Sequence, residues 1–555
     1  IECDVWINPD DTLVIEPGVE VIFLHNRRFD VRPGAVIIAE GTEEEPIIFT
    51  AADTLLTYDN GGFNGIRLNK SIGSSFSYCH FKYGNAFGYE NENNGGALNI
   101  IKSKVLLDNC TFESCRANGK GGSIYAENYE YDMSNITVNG SSASEGGTIY
   151  ALNSTFALMN SYIENSDASI DGAVVYADSS DFVASNSEFL SNSSAGDGVA
   201  LIHAIHCAVT ITSANIHNNG VGVLSTDSCY VNVLISTFND NDYEGSLFDL
   251  YDSRGAFNRL TIANNHGGVI NAEKLEFTFE KSLIKNNISD FPIFNMNDHS
   301  GASFTNCIVS NNSSTADIFR LDQYSEALFI NNTIFDNDAT GSAIFLLDRA
   351  SNGLFFNSII VNTTDVEIEA KDSSSVYVTY CDIYEDKCFS ARSYVMFDEG
   401  VIAVDPAFED TLLNLSESSD CVDAGAMRIT TPFGMTVTTT FNDFYGNFRP
   451  RGSAMDMGAV ESSYNGIYEI AAKPDDFDIS IYPNPFNGAV TIDIPSGSQL
   501  IISDIHGKKV FDYANPNSHG SSITWSPHGD IPSGIYLIKV VDENKVHADK
   551  AIYLK

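Results

Sequence analysis

The chain has 555 residues and a formal net charge of −44, with 30 Lys and Arg against 74 Asp and Glu. Such a charge repels nucleic acids and anionic membranes, so neither is expected as a partner. No run of about 18 apolar residues occurs, so no membrane-spanning segment is expected. The chain begins with Ile, and we expect that a signal peptide has been removed. Ten Cys are compatible with an exported protein.

Short apolar runs separated by Pro-Gly turns fill the first 75 residues. They lie at residues 5–7, 13–23, 33–42 and 46–50. Runs of this length with alternating apolar positions are typical of β-strands. They predict the opening coils of a stacked β-structure.

From residue 81 to residue 383 an apolar residue recurs at a nearly constant step, which is 22 to 27 residues from Phe112 onward. The intervals hold short β-branched and aromatic segments bounded by Gly, without a helical periodicity. A repeat of this kind predicts a right-handed parallel β-helix whose thirteen coils would span ~60 Å. The marker residues are Phe81, Phe112, Val138, Ile163, Phe189, Ile216, Phe238, Ile262, Ile284, Val309, Phe335, Ile360 and Ile383.

Two polar columns accompany these markers. Asn stands three residues after the marker in six consecutive units, and Gly stands about 16 to 18 residues before it. Both predict corners with left-handed backbone geometry, and the Asn side chains can also bond to one another along the axis. Ligand binding is the alternative. The columns are Asn192, Asn219, Asn241, Asn265, Asn287 and Asn312, and Gly96, Gly122, Gly147, Gly172, Gly198, Gly222, Gly245 and Gly268.

Several cysteines occupy equivalent places in consecutive units. Cys79 and Cys110 each lie two residues before a marker, and Cys207 and Cys229 each lie nine residues before one. Stacked neighbours would be within disulfide reach. Cys381 and Cys388 form a further candidate pair. The alternative is a buried column of free thiols acting as small apolar residues.

The phrases in the first 75 residues resemble the N-terminal coils of secreted bacterial right-handed parallel β-helix proteins, the pectate-lyase-like superfamily. The corner pattern also resembles repeats of polymorphic outer-membrane adhesins. Together these resemblances cover residues 1–395 and imply the fold far more strongly than a function.

Residues 396–461 resemble the choice-of-anchor segment that follows many exported β-helices. Its phrases lie at residues 404–408, 421–425, 443–451 and 456–461. Because the end of a solenoid exposes strand edges, we expect this segment to cap it. Its Asp and Arg residues are interpreted as a buried ion-pair scaffold rather than an active site. Residues 462–478 lose the repeat and are predicted to be a linker.

Residues 479–555 open with a Tyr-Pro-Asn-Pro-Phe-Asn phrase and continue with short β-strands, a Gly-Lys-Lys hairpin and a Ser-Gly-Ile-Tyr strand. These motifs resemble the sorting domain of type IX secretion substrates. The resemblance implies a small immunoglobulin-like β-sandwich, contact with the secretion machinery, and an extracellular location at a bacterial cell surface. The motif residues are Tyr482, Pro483, Asn484, Pro485, Gly507, Gly534 and Tyr536.

No catalytic constellation stands out in the sequence. Asp240 and Asp242 flank one corner, Asp336 and Asp338 flank another, and such pairs are the candidates for binding Ca²⁺ between coils. His203 and His206 flank Cys207, but their odd spacing places them on opposite faces of a strand.

Basic residues in the coils are few and do not share one column, which disfavours the base that a polysaccharide lyase needs. They are Arg254, Arg259, Arg320 and Arg349.

The sequence therefore predicts a secreted structural or adhesive β-helix, such as a stalk, adhesin or filament subunit. Two alternatives stay open: a polysaccharide lyase or glycoside hydrolase acting in a groove of the β-helix, and a non-catalytic glycan-binding protein. An extracellular glycan and self-assembly into filaments are the expected partners beyond the secretion machinery.

Overall fold

The computed structural model describes residues 1–57, 60–194, 196, 199–340, 342–462, 481–482, 486–494, 498–504, 508–514, 521–527, 531–542 and 545–553. The chain forms two compact units, Ile1–Gly466 and Ile467–Lys555. The predicted linker beyond Ser462 lies outside the described residues. So do the sorting-motif residues Pro483, Asn484, Pro485 and Gly507.

The first unit is a right-handed parallel β-helix of about 15 turns, as predicted. Each coil contributes strands to three parallel sheets of 19, 16 and 15 strands. The first sheet contains Val5–Ile7, Phe29–Val31, Ile66–Asn69, Leu98–Ile101, Ile124–Glu127, Ile149–Leu152, Val175–Asp178, Ala200–Ile205, Gly222–Asp227, Asp242–Tyr251, His266–Glu273, Ile288–Ser289, Phe294–Asn297, Ser313–Ser314, Phe319–Leu321, Asp338–Ala339, Phe345–Leu347, Ile368–Lys371 and Cys388–Ala391.

The second sheet contains Thr12–Ile15, Val36–Glu40, Ile72–Ser77, Lys104–Asp108, Glu130–Ser134, Thr155–Met159, Asp181–Ser185, Ala208–Thr212, Tyr230–Leu234, Arg254–Asn258, Glu276–Glu280, Gly301–Thr305, Glu326–Ile330, Asn352–Phe356, Ser375–Thr379 and Tyr394–Phe397. The third contains Glu20–Phe23, Ile47–Ala51, Cys79–Lys82, Thr111–Glu113, Thr137–Asn139, Tyr162–Glu164, Glu188–Leu190, Asn215–His217, Thr237–Asn239, Thr261–Ala263, Leu283–Lys285, Ile308–Ser310, Thr333–Phe335, Ile359–Val361 and Asp382–Ile383. A short four-stranded sheet beside the first contains Asn85–Ala86, Arg116–Ala117, Ser142–Glu145 and Asp167–Asp171.

The predicted marker column runs through the interior along the third sheet, with one correction. Twelve of the thirteen markers pair in register from Phe81 to Ile383. The exception is Phe335, because Ile334 pairs with Val309 and occupies the column. Phe335 faces outward and contacts the ring of Phe408 at 5.0 Å. Both adjacent residues are apolar, so spacing alone could not choose between them.

The Asn column forms a continuous hydrogen-bonded ladder, as predicted. From Asn192 onward each side-chain amide donates to the Asn one coil later, at 2.9–3.0 Å. The ladder extends past the predicted six through Asn337 to Asn362. It ends on the buried carboxylate of Glu367, which accepts the Asn362 side-chain amide at 2.9 Å and its backbone N–H at 2.8 Å.

The left-handed geometry predicted for the two columns belongs mostly to their neighbours. In the ladder it falls on the preceding residue, such as Asn264 with φ 57° before Asn265. Gly121, not Gly122, has positive φ. A Cβ on Gly122 would lie 2.1 Å from the carbonyl oxygen of Gly147. Gly96 and Gly147 are equally close to a carbonyl oxygen of the next coil, so at these three positions the glycine serves close approach between coils. Gly172 has the predicted positive φ, at 66°.

The segment after Phe397 does more than cap the solenoid end. Ile402 pairs with Asp382 on the third sheet, and thereafter the chain runs back along the outside of earlier coils. We call residues 398–462 the strap. It bonds to the corner residues of three successive coils, Asn306, Asn331 and Asn357. These contacts join residues that are far apart in sequence and cannot be predicted from spacing. A cap at the end of the solenoid was therefore the simpler expectation.

The strap contains a hairpin, Arg428–Thr430 with Thr436–Thr438, that packs on the outer face of the second sheet. Its other anchor is Arg449, whose fully buried side chain lies 3.4 Å from the Glu461 carboxylate and donates to the Gly458 carbonyl at 2.8 Å. This buried ion pair matches the scaffold role interpreted from the sequence.

The second unit is an all-β domain of two antiparallel sheets around one hydrophobic core. One sheet contains Ile481–Tyr482, Val490–Ile494 and Ser521–Trp525, and the other contains Gln499–Asp504, Lys509–Ala514, Gly534–Asp542 and Lys545–Tyr553. Helix in the described residues is confined to two 3-10 turns, Glu90–Asn93 and Glu385–Lys387, and neither is long enough to cross a bilayer.

Candidate functional site

The outer face of the first sheet presents one side chain per coil in a straight file. Strand pairing aligns aromatic, basic and amide residues over the first eight coils. Because strands in register lie ~4.8 Å apart, these eight positions span ~34 Å. The file is Trp6, Asp30, Arg67, Asn99, Tyr125, Tyr150, Tyr176 and His203.

At the N-terminal end of this file lies a groove of about 310 Å³, which we call the arginine groove. Its defining residues are Trp6, Arg28, Arg32 and Arg67, joined by Asp30, Glu92 and Asn99. Three guanidinium groups face the carboxylates of Asp30 and Glu92 there, and the Asp4 carboxylate lies 4.0 Å from Arg28 Nε. Positive and negative groups are therefore balanced around the groove, in a chain whose net charge is −44.

Two of the three arginines are held in place by the groove itself. Arg28 Nη1 lies 3.0 Å from Glu92 Oε1, and its Nε lies 3.1 Å from Asp30 Oδ2. Arg67 donates from Nε to the Asn64 carbonyl at 3.1 Å and from Nη2 to the Glu92 carbonyl at 3.0 Å. Burial lowers the pKa of Arg67 to about 10, so the group stays charged at neutral pH.

Arg32 is the arginine most available to a ligand. Its guanidinium lies 5.7 Å from the ring centroid of Trp6 and donates to Asn8 Oδ1 at 3.1 Å. Within the described part of the chain it has no carboxylate partner. Trp6 itself is 55% exposed. The exposed indole of Trp6 thus offers a flat apolar surface, and the neighbouring Arg32 guanidinium, which no described carboxylate pairs with, offers a bidentate site for a carboxylate or sulfate.

The middle of the file is a stack of rings. Tyr125 and Tyr150 have ring centroids 5.6 Å apart, Tyr150 and Tyr176 are 5.0 Å apart, and Tyr176 and His203 are 4.7 Å apart. Tyr125 and Tyr150 are only 4% exposed. Nδ1 of His203 lies 2.6 Å from Oδ2 of Asp171. These contacts indicate packing between coils rather than an open row of sugar platforms.

Lys120 reaches over this stack. Its Nζ donates to the Tyr150 hydroxyl at 2.7 Å and lies 2.9 Å from Glu145 Oε2. Burial acts to lower the pKa of Lys120, but the bonds to Tyr150 and Glu145 outweigh it and raise the pKa. Burial raises the pKa of Tyr125 and of Tyr176 to about 12. Neither the lysine nor these tyrosines is therefore prepared to accept a proton at neutral pH.

The Ca²⁺ candidates lie apart from one another. Asp240 and Asp336 are corner residues with left-handed backbone geometry. Asp242 and Asp338 share a column but are four coils apart, or about 19 Å. In the described residues no group of three or more His, Cys, Asp or Glu side chains is arranged to hold a metal ion. Ca²⁺ binding at these pairs stays a prediction.

All ten cysteines are free thiols in the structure. Two of the predicted pairs are nevertheless neighbours on successive coils, which is the arrangement that the disulfide prediction assumed. The backbone N–H of Cys207 donates to the Cys229 sulfur at 3.3 Å, and the hydrogen bond with Cys110 raises the pKa of the Cys79 thiol. Disulfide formation in these two pairs stays a prediction.

The third cysteine pair is not stacked. Cys388 lies in the first sheet, paired with Ile368, whereas Cys381 lies at the start of the third sheet. Their thiols donate to different carbonyls, Cys381 to Thr379 and Cys388 to Tyr384.

Two sequence expectations about basic residues need amendment. Arg320 and Arg349, expected to be scattered, both approach Asp322 from successive coils. His206 has φ 55° and is a corner residue, so it does not share a site with His203.

The arginine groove was not predicted from the sequence. The sequence signal for it is the concentration of Arg28, Arg32 and Arg67 in the first coils of an arginine-poor chain. The alignment of Trp6 with Asp30 and Arg67 was not visible because the spacing between these residues is irregular.

Comparisons with known proteins agree with both units. The family described as a right handed beta helix region matches residues 294–404, and the secretion system C-terminal sorting domain matches residues 480–554. No curated protein matches.

Two solved structures are similar at low identity. The pectate lyase Pel9A is 14% identical, with 65% of this chain and 88% of that chain covered and a TM-score of 0.29. The A-module of the mannuronan C-5 epimerase AlgE6 from Azotobacter vinelandii is 11% identical, with 71% and 91% covered and a TM-score of 0.19.

The chain is thus a secreted cell-surface protein that combines a right-handed parallel β-helix with a C-terminal type IX sorting domain. The sorting domain implies contact with the secretion machinery during export. Of its motif residues, Gly534 and Tyr536 lie on a described strand, where the Tyr536 hydroxyl donates to the Pro532 carbonyl at 2.7 Å. Tyr482 lies on the short strand Ile481–Tyr482.

Proposed function

We propose that this protein is a surface adhesin that binds an anionic extracellular glycan in the arginine groove without turning it over. The observation that carries the proposal is the guanidinium of Arg32, which has no carboxylate partner among the described residues and lies beside the exposed ring of Trp6. A uronate or sulfated sugar would supply that anionic partner in an otherwise strongly acidic molecule.

The β-helix suits an adhesive role because it is a rigid scaffold. The Asn ladder and the interior Phe stacks, such as Phe294, Phe319 and Phe345 at 4.7 Å spacing, tie each coil to the next. A groove built on such strands keeps its shape without a ligand, which lowers the entropic cost of binding.

Binding rather than catalysis is favoured by the protonation states along the file. A lyase needs a group that accepts the proton α to the uronate carboxylate. Lys120 and Tyr150 have raised pKa values and are bonded to each other, so both keep their protons at neutral pH.

The test is calorimetric titration of the full chain with polygalacturonate, oligomannuronate and chondroitin sulfate, with dextran as the neutral comparison. We expect binding to at least one anionic polymer, weakening with salt, and a roughly tenfold loss in Arg32→Ala. Arg254→Ala, an exposed arginine outside the groove, is the matched control. Binding unchanged by Arg32→Ala would refute the site.

The same polymers distinguish the enzyme alternatives. Formation of unsaturated uronate ends would show a lyase, and new reducing ends without unsaturation would show a hydrolase. Either result would overturn the non-catalytic part of the proposal. Filament formation stays a prediction, and sedimentation velocity at several protein concentrations would test it.

A further inference from the structure

A second groove, of about 470 Å³, lies between the strap hairpin and the outer face of the second sheet. We call it the strap groove. It is on a different sheet from the arginine groove, and its walls come from parts of the chain far apart in sequence. The second sheet contributes Glu326, Asn352 and Ser375, the last coil contributes Tyr394 and Met396, and the hairpin contributes Phe433.

One edge of the strap groove is a polar column. Strand pairing aligns Glu326, Asn352 and Ser375 on three successive coils, followed by Tyr394. The Asn352 amide donates to Glu326 Oε1 at 3.0 Å, and the Ser375 hydroxyl donates to Asn352 Oδ1 at 2.5 Å. The column thus offers one hydrogen-bonding group per ~4.8 Å, about the length of one pyranose unit.

The floor and the opposite wall are apolar. Leu328, Leu354, Tyr377 and Met396 form the neighbouring outward column. The hairpin brings Phe433 above it, with this side chain 73% exposed. Tyr394, at the end of the polar column, is 63% exposed. Tyr394 and Phe433 line the same groove together with Met396, and an exposed apolar surface shared by several side chains in a concave site marks a place for a ligand.

The charge of the lining selects the class of ligand. Among the described residues that line the groove, Glu326 is the one that carries a charge. An anionic sugar would meet this carboxylate without a compensating cation. An aliphatic chain would cover the polar column without supplying hydrogen bonds, at a cost for each group left unpaired. A neutral sugar presents hydroxyl groups on its edge and C–H groups on its faces, which matches the two columns.

We propose that the strap groove binds a neutral oligosaccharide, with hydroxyl groups on the Glu326, Asn352 and Ser375 column and a sugar face against Tyr394 and Phe433. The proposal is independent of the arginine groove. A protein with both grooves would bind two chemically different glycans on two of its faces.

The experiment titrates the full chain with cellohexaose, mannohexaose, xylohexaose and maltohexaose, and with hexagalacturonate. We expect heat of binding with at least one neutral hexasaccharide, and a five- to tenfold weaker Kd in Phe433→Ala and in Tyr394→Ala. Tyr394 lies outside the hairpin, so its variant tests the site even if Phe433→Ala disturbs the hairpin.

Two controls make the outcome specific. Phe448→Ala removes another exposed strap phenylalanine, 76% exposed, that does not line the groove, and its Kd should equal that of wild type. Arg32→Ala should also leave neutral-sugar binding unchanged, which separates this proposal from the arginine groove. Absence of binding to every neutral hexasaccharide would overturn the proposal. So would self-association abolished by Phe433→Ala in a protein that binds no sugar.

Discussion

The regular coils and the first coils of the same solenoid use their side chains differently. From Asn192 to Asn362 the repeat is even, and its most distinctive polar residues are buried in the ladder. In the first coils 37 residues separate Asp30 from Arg67 and 32 separate Arg67 from Asn99, and there the polar residues face outward around the arginine groove. Regular spacing produces stability between coils, whereas irregular spacing inserts loops that build a concave surface.

The largest loss of stability that tests this difference between coils is expected from a substitution in the Asn ladder. Asn265→Ala removes the acceptor for the backbone N–H and side-chain amide of Asn241 and two donors of its own. Buried donors left without acceptors should lower the free energy of unfolding by about 3–5 kcal/mol. Urea denaturation followed by circular dichroism measures it. Asn264→Gly, at the exposed corner beside it, is the control and should cost about 1 kcal/mol or less.

A smaller change in the free energy of unfolding is expected when the pH is changed, because three buried carboxyls lie near the C-terminal coils. Burial raises the pKa of Asp382 to about 6 and those of Glu367 and Glu461 to about 7. Because these values exceed those of the unfolded chain, the native state binds more protons between pH 5 and 7. Stability is therefore fully present at low pH and is lost as pH rises through 6 to 7.

We expect the urea midpoint to be higher at pH 6 than at pH 8. Asp382→Asn should remove only about 0.4 kcal/mol of the corresponding difference in the free energy of unfolding, because at a pKa of about 6 half of this carboxyl is already ionised at pH 6. The two glutamates account for the rest of the difference. Asp11→Asn, at an exposed turn, should leave the pH dependence unchanged. A midpoint that rises steadily from pH 6 to pH 8 would contradict the assignment.

The ring stack beside the arginine groove should show an intermediate cost. Tyr150→Phe keeps the ring stacked but removes the hydroxyl that accepts from Lys120. We expect a loss of about 1 kcal/mol in the free energy of unfolding. Tyr230→Phe, 65% exposed on the second sheet, is the comparison and should have no effect. A loss above about 3 kcal/mol would mean that this hydroxyl supports a larger network.

The smallest effect on stability is expected at Arg32. Arg32→Ala removes an exposed side chain with one hydrogen bond, to Asn8. The free energy of unfolding should change by less than about 0.5 kcal/mol, while affinity for anionic glycans falls. For Asn265→Ala, in contrast, the expected effect is a large loss of stability. A large loss of stability would show that the groove arginines are structural, and the contrast between first and later coils would fail.

The sequence was most informative where the same contact repeats. The apolar markers and the ladder were predicted because each depends on neighbours at a fixed distance along the chain. The sorting domain was identified from the resemblance of its motifs to a known family. It was least informative where one residue must be chosen from two adjacent candidates. Ile334 rather than Phe335 faces inward, and Gly121 rather than Gly122 has positive φ.

The sequence by itself determined that the chain is a stack of three-stranded coils, since a regular spacing of apolar residues can be buried along one interior only by stacking. Only the tertiary structure decided where surfaces form. The register of unequal coils places Arg32 beside Trp6. The return of the strap places Phe433 in the same groove as Leu354. Such contacts depend on how much chain each loop takes up between strands, and spacing in sequence does not encode that.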